Sequence, residues 1–143
     1  MPAVKRAPAK SPTKPAKPDF VPVFNALREI LKPFVGKEIA VQTDKPGNYH
    51  VEIPSILHRR KPLYFAGVRT GKNYVSFHFL PAYFNPGLIK SMSPALKKRK
   101  QGKACFNFTQ VDRECFAELG RLITEGLREF KSEEFRKYIQ SIQ

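Results

Sequence analysis

Two cysteines in 143 residues are too few for a disulfide framework, and their scarcity predicts a reducing compartment. No apolar run approaches the roughly 20 residues that cross a bilayer, and the N-terminus lacks a signal peptide's apolar core. The expectation is a soluble, cytoplasmic protein. Acids are scarce too, with 12 Asp/Glu against 26 Lys/Arg and a formal charge of +14. Motifs that carry chemistry are also missing. His50, His58, His78, Cys105 and Cys115 show no paired spacing such as Cys-x-x-Cys or His-x-x-x-His, so no metal ligand is assigned. Without a Gly-x-Ser-x-Gly elbow or a triad pattern, no catalytic residue is assigned either, and no cofactor is indicated. The stretch from Gly67 to Asn73 looks like a phosphate loop, but it is one residue short and sits between two strand patterns. It also ends in Asn where Ser or Thr should hold magnesium.

What is present is segregated charge. Residues 1–19 carry +4, residues 20–111 carry +11 from fifteen bases and four acids, and residues 112–143 carry −1. Such a field attracts polyanions, so the expected partner is anionic, a nucleic acid or a phosphorylated ligand. Two clusters are candidates for anion binding: Arg59, Arg60 and Lys61, and then Lys97, Lys98, Arg99, Lys100 and Lys103. Lys and Arg near aromatic rings can hold phosphates while rings stack on bases. The competing reading is a solvated cationic rim.

In chain order, residues 1–19 read as a disordered basic tail rich in Pro, Ala and Lys, because five prolines leave no ladder or core pattern. Residues 20–143 read as one domain, and 41% hydrophobic residues suffice to fill its core. The spacing predicts a helix over 19–32, with Phe20, Phe24, Leu27, Ile30 and Leu31 on one stripe and Pro33 as its stop. Strands follow, one over 37–43 and one with Tyr49, Val51 and Ile53 facing inward, and then a loop over 54–61. Ser93 caps a short helix closed by Gly102, residues 104–108 form a fifth strand, and Asp112 and Ser132 cap two helices. Phe135, Tyr138, Ile139 and Ile142 of the last helix should face inward. The order predicts an α+β fold, an antiparallel sheet of about five strands covered by helices.

The centre of the pattern is a hairpin over 62–80. With Gly71-Lys72 as a two-residue type II′ loop, Tyr64 pairs with Phe79, Ala66 with Phe77 and Val68 with Val75 on a core face. The other face pairs Leu63 with Leu80, Phe65 with His78, Gly67 with Ser76 and Arg69 with Tyr74. That face is aromatic and polar together. Arg69, Tyr74, Ser76 and His78 project from it, and Cys105 and Asn107 join them if the fifth strand lies in the same sheet. These six residues are the ligand-binding candidates, since they offer donors, a titratable ring and aromatic walls. The alternative is that Tyr83, Phe84 and the short helix cover this face and leave His78 as a core residue.

Three blocks occur in order: KPLYFAGVRTGKNYVSFHFLPAYFNPGLI, SMSPALKKRKQGKACFNF and VDRECFAELGRLITEG. Together they resemble a bacterial branch of the YdhG-like domain of unknown function, over about residues 20–130. The resemblance implies a small α+β fold without an established enzymatic activity. Some YdhG-like members are described as frataxin-like iron chaperones, which present an acidic ridge. Here the first helix carries only Glu29 beyond its cap, whereas iron would need oxygen-rich carboxylate sites. The leading expectation is a non-enzymatic binding module with a basic surface. The alternatives are iron handling and a small-ligand enzyme using the mixed face.

Overall fold

The structure is a computed structural model, and it describes residues 19–36 and 38–142. The tail expected over 1–19 lies outside the described residues except for Asp19, whose Oδ1 accepts from the Val21 amide at 3.0 Å.

Helix α1 (Val21–Leu31) buries Val23, Phe24, Leu27 and Leu31. Pro22 is accommodated in its first turn, where no intrahelical donor is needed, and Pro33 sits in the short 3-10 turn that ends it. Four strands then form a meander: β1 (Ala40–Lys45), β2 (Asn48–His58), β3 (Lys61–Thr70) and β4 (Val75–Phe79). Short helices α2 (Leu80–Phe84), α3 (Gly87–Lys90) and α4 (Pro94–Arg99) lead to β5 (Lys100–Gln101) and β6 (Cys105–Phe108). The long α5 (Arg113–Phe130) and α6 (Glu133–Ser141) finish the chain. All strand pairs are antiparallel, in the order β1-β2-β3-β4-β6-β5. The α+β class is therefore as expected, with one more strand than the five foreseen.

The expected caps are all present. Ser93, Asp112 and Ser132 accept from the amides of Leu96, Cys115 and Phe135 at 3.2, 3.1 and 3.2 Å. Each bond satisfies a helix-terminal amide that has no partner within the helix. Glu118 on α5 then accepts from both the Ser93 amide and the Ser93 hydroxyl, at 2.7 and 2.6 Å, which ties α4 to α5.

The core lies between one face of the sheet and the helices. Val51, Ala66, Val68, Phe77, Phe79 and Phe106 line it from the strands, each at most 1% exposed. Phe116, Leu119, Ile123 and Phe130 line it from α5. Phe130 stacks on Phe135 with centroids 4.0 Å apart, and Phe84 meets both rings edge-on. Phe84 therefore packs on the helical side and does not cover the other sheet face, and Tyr83 is exposed. In α6 only Phe135 and Ile139 are buried, while Tyr138 and Ile142 are exposed.

Several expectations about local structure change. The segment 54–58 belongs to β2, and the chain turns at Arg59-Arg60 between the paired His58 and Lys61. Both turn residues have positive φ, 53° and 68°. That is the backbone of a two-residue type I′ hairpin, ordinarily given to Asn-Gly. Helix α4 stops at Arg99, because Lys100 and Gln101 pair with β6, and Gly102 turns the new hairpin at φ 69°.

In the central hairpin the last pair is Thr70 with Val75, so the loop holds four residues, closed by the Gly71 amide donating to the Tyr74 carbonyl at 2.8 Å. Gly71 is not among the positive-φ glycines, which removes the type II′ turn. Ala66 pairs with Phe79 and Val68 with Phe77, a register displaced by two residues. A two-residue shift preserves the alternation of faces, so β4 keeps its expected sides. On β3 a bulge intervenes. Val51 pairs with Ala66 but Glu52 with Tyr64, which leaves Phe65 as the extra residue. The bulge sends Leu63 and Phe65 into the core and moves Tyr64 to the opposite face, the reverse of the expected assignment.

Candidate functional site

Among the described residues, no helix lies on the second face of the sheet. Its residues on the central strands, Asn48, His50, Glu52, Tyr64, Ser76 and His78, are half-buried, and so are Cys105 and Asn107 on β6. Two rows of paired residues cross it. One runs Arg69, Ser76, Asn107, and the other runs Thr43, His50, Gly67, His78, Cys105. Five of the six expected ligand-binding residues therefore share the face: Arg69, Ser76, His78, Cys105 and Asn107. Tyr74 does not, because the longer loop leaves it outside β4, 40% exposed.

The two rows differ in what they leave available. Ser76 Oγ donates to Asn107 Oδ1 at 2.6 Å, so the serine hydroxyl proton is already engaged. Gly67 in the other row is the floor of a small cleft of about 270 Å³. A Cβ at this position would lie under 3.0 Å from both Tyr64 Oη and His50 Cβ. Only glycine lets the phenol cross the strand here. His50 Nε2 is 2.7 Å from Thr43 Oγ1, and its ring meets that of Tyr64 at 5.4 Å. His50, Tyr64 and Asn48 were missed from sequence as site residues. The alternation of Tyr49, Val51 and Ile53 would have put Asn48 and His50 on this face, but nothing in the run Leu63-Tyr64-Phe65-Ala66 marks a bulge.

Electrostatics decides what the groups can do. Burial, with the Arg69 and His50 charges behind it, holds His78 below the usual imidazole range, which favours a neutral ring at pH 7. Burial raises the Tyr64 phenol far above its ordinary value, so the hydroxyl remains a donor. The Cys105 thiol is also raised by burial. Its sulfur lies 3.3 Å from His78 Nδ1 and 4.0 Å from Nε2. Such similar distances put the sulfur beside the ring and off the Nδ1 lone-pair axis. A thiol raised by burial next to a lowered imidazole is the opposite of a thiolate–imidazolium nucleophile. Cys115 is buried in α5, and burial followed by Asp112 pushes its thiol up to about 11. Among the described residues no group of three His, Cys, Asp or Glu side chains is placed to hold a metal ion, and no helix is long and apolar enough to cross a membrane.

The cationic candidates stand mostly off this face: Lys100 pairs with core-facing Phe106, α4 is tied to α5, and Arg60 lines a hollow with Arg136, Ile139 and Gln140 of α6. In the antiparallel order, the Arg59-Arg60 turn and the turn before β6 that holds Lys103 lie at the same end of the sheet, with β4 between the two hairpins. Arg59, Arg60, Lys61, Lys97, Lys98 and Lys103 are exposed, while Arg99 and Lys100 are half-buried. Lys103 Nζ lies over the Tyr83 ring at 5.4 Å, and Lys100 Nζ donates to the Gly102 carbonyl. Ion pairs join Arg28 to Asp44, Lys32 to Glu29 and Lys131 to Glu38, all away from these clusters. The reason is in the sequence: acids stop at Glu52 and resume only at Asp112.

A larger cavity, about 640 Å³, opens between α1 and the β1–β2 turn, but none of the ligand- or anion-binding residues expected from sequence lines it. No protein-family model, curated protein or solved structure matches this chain.

Proposed function

We propose that the chain is a non-enzymatic binding domain that receives an anionic partner, a nucleic acid or another phosphorylated ligand, on its basic surface. One observation carries this reading. Between Glu52 and Asp112 there is no carboxylate, and most of the bases of that stretch are exposed. Exposed surface cations in a stretch without carboxylates attract phosphates without needing a catalytic group. The YdhG-like resemblance belongs to the same proposal and agrees with it, since it implies no enzymatic activity. Iron handling has less support, because carboxylates are absent from the second face of the sheet apart from Glu52. A small-ligand enzyme on this face has less support as well, given the protonation states favoured for Cys105 and His78.

Binding to a labelled 20-base-pair duplex and to a single-stranded RNA of similar length, measured by anisotropy across a salt series, tests the reading. Affinity should fall linearly with salt on logarithmic axes, by a slope of about 0.9 per phosphate neutralised on duplex DNA. Replacing Lys97 and Lys98 by Gln should flatten that slope. Absence of binding at low salt would refute the proposal.

A further inference from the structure

The cleft over Gly67 has a property that the cationic rim does not share: its donors are already organised but unused. Asn48, His50 and Tyr64 approach from β2 and β3, with Arg69 and His78 beside them, and no carboxylate lines the space. Glu52, paired in register with Tyr64, stands outside it. The Tyr64 hydroxyl, the Asn48 amide and the Arg69 guanidinium make no side-chain hydrogen bond or ion pair to any described residue. His50 is anchored through Nε2 to Thr43, which leaves Nδ1 for another partner. Donors on three adjacent strands converging without a carboxylate are arranged for a ligand rich in acceptors.

We propose that this cleft is an oxyanion subsite that takes one phosphate group, held by Arg69 and the Tyr64 hydroxyl, with His78, His50 and Asn48 around it. The inference rests on the reading of the domain as a binder of anionic partners and names the place where a single phosphate is recognised. Size agrees, since about 270 Å³ falls below the range of pockets that enclose a drug-sized ligand and suits one tetrahedral group with its waters. Charge agrees as well. A dianion complements the Arg69 guanidinium and removes the repulsion that Arg69 and His50 impose on a protonated His78. Gly67 contributes by absence, because any side chain there would displace the Tyr64 hydroxyl.

The test uses the full chain, with the imidazole signals of His50 and His78 followed by NMR as inorganic phosphate is added, and chloride of equal ionic strength as the control. Phosphate should shift both rings saturably, and chloride should not. Arg69→Gln and Tyr64→Phe, changes at an exposed cation and at a single hydroxyl, should each weaken phosphate binding about tenfold, as expected for a hydrogen bond to a charged group. Lys72→Gln, in the neighbouring loop, should leave it unchanged. Equal shifts with phosphate and chloride, or full affinity in both cleft variants, would overturn the site. If that result comes with salt-dependent binding of duplex or RNA intact, the subsite is wrong and the broader reading stands. Loss of both overturns both.

Discussion

Helix α5 contains two glycines whose replacement by Ala should move stability in opposite directions. Gly120 and Gly126 are both interior positions, so each Ala removes unfolded-state freedom and should gain roughly 0.5–1 kcal/mol from that source. Surroundings then separate them. A Cβ on Gly120 meets only Ile30 Cγ2, at 3.9 Å, an ordinary contact. A Cβ on Gly126 would stand 2.7 Å from Phe79 Cζ and 2.7 Å from both Cβ and Cγ of Pro81. Neither neighbour yields easily. Pro81 is a rigid ring in the first turn of α2, and Phe79 is fully buried with its ring 6.0 Å from that of Phe65. Overpacking of this kind costs about 1–3 kcal/mol. The steric term should win, giving Gly126→Ala a net loss of about 1–2 kcal/mol beside a small gain for Gly120→Ala. Urea unfolding gives both numbers. The midpoints should move in opposite directions while the slope stays constant, since the surface exposed on unfolding does not change. A Gly126→Ala variant as stable as Gly120→Ala would mean that α5 does not seat on Pro81 and Phe79 in this way.

Two further outcomes follow from the geometry. Arg60 sits at φ 68°, a region that disfavours side chains by about 1 kcal/mol, so Arg60→Gly should raise the urea midpoint while lowering affinity for duplex DNA. A variant that is less stable would show that the Arg60 side chain contributes more than its backbone costs. His78 binds its proton more weakly in the folded chain than in the unfolded one. Its contribution is therefore fully present above the unfolded value of about 6.5 and declines as pH falls from there through the folded value. His78→Gln should reduce that part of the pH dependence of the urea midpoint, and an unchanged profile would locate the dependence elsewhere.

Elements with local causes were legible before the fold was known. The apolar stripes of α1 and α5 follow from 3.6-residue spacing, and the caps at Ser93, Asp112 and Ser132 follow from side chains that serve amides three residues ahead. The inner face of β2 follows from alternation. The faces of β4 survived a wrong loop assignment because the register moved by an even number of residues. These inferences need only a residue's near neighbours along the chain.

Tertiary structure decided the rest. Leu63, Tyr64, Phe65 and Ala66 are all apolar enough for either face, so alternation alone could not detect that Phe65 is inserted opposite Val51 and Glu52. The phenyl group finds its place among Phe79 and Phe130, and filling that space rotates Tyr64 onto the face with His50 and His78. Lys100 and Gln101 likewise read as a helix end until β6 offers an edge to pair with. The sequence by itself determined which residues seek the core and where helices begin. Which side of the sheet the Tyr64 hydroxyl occupies depended on long-range packing, because burying one more aromatic ring outweighs the local disruption of a bulge.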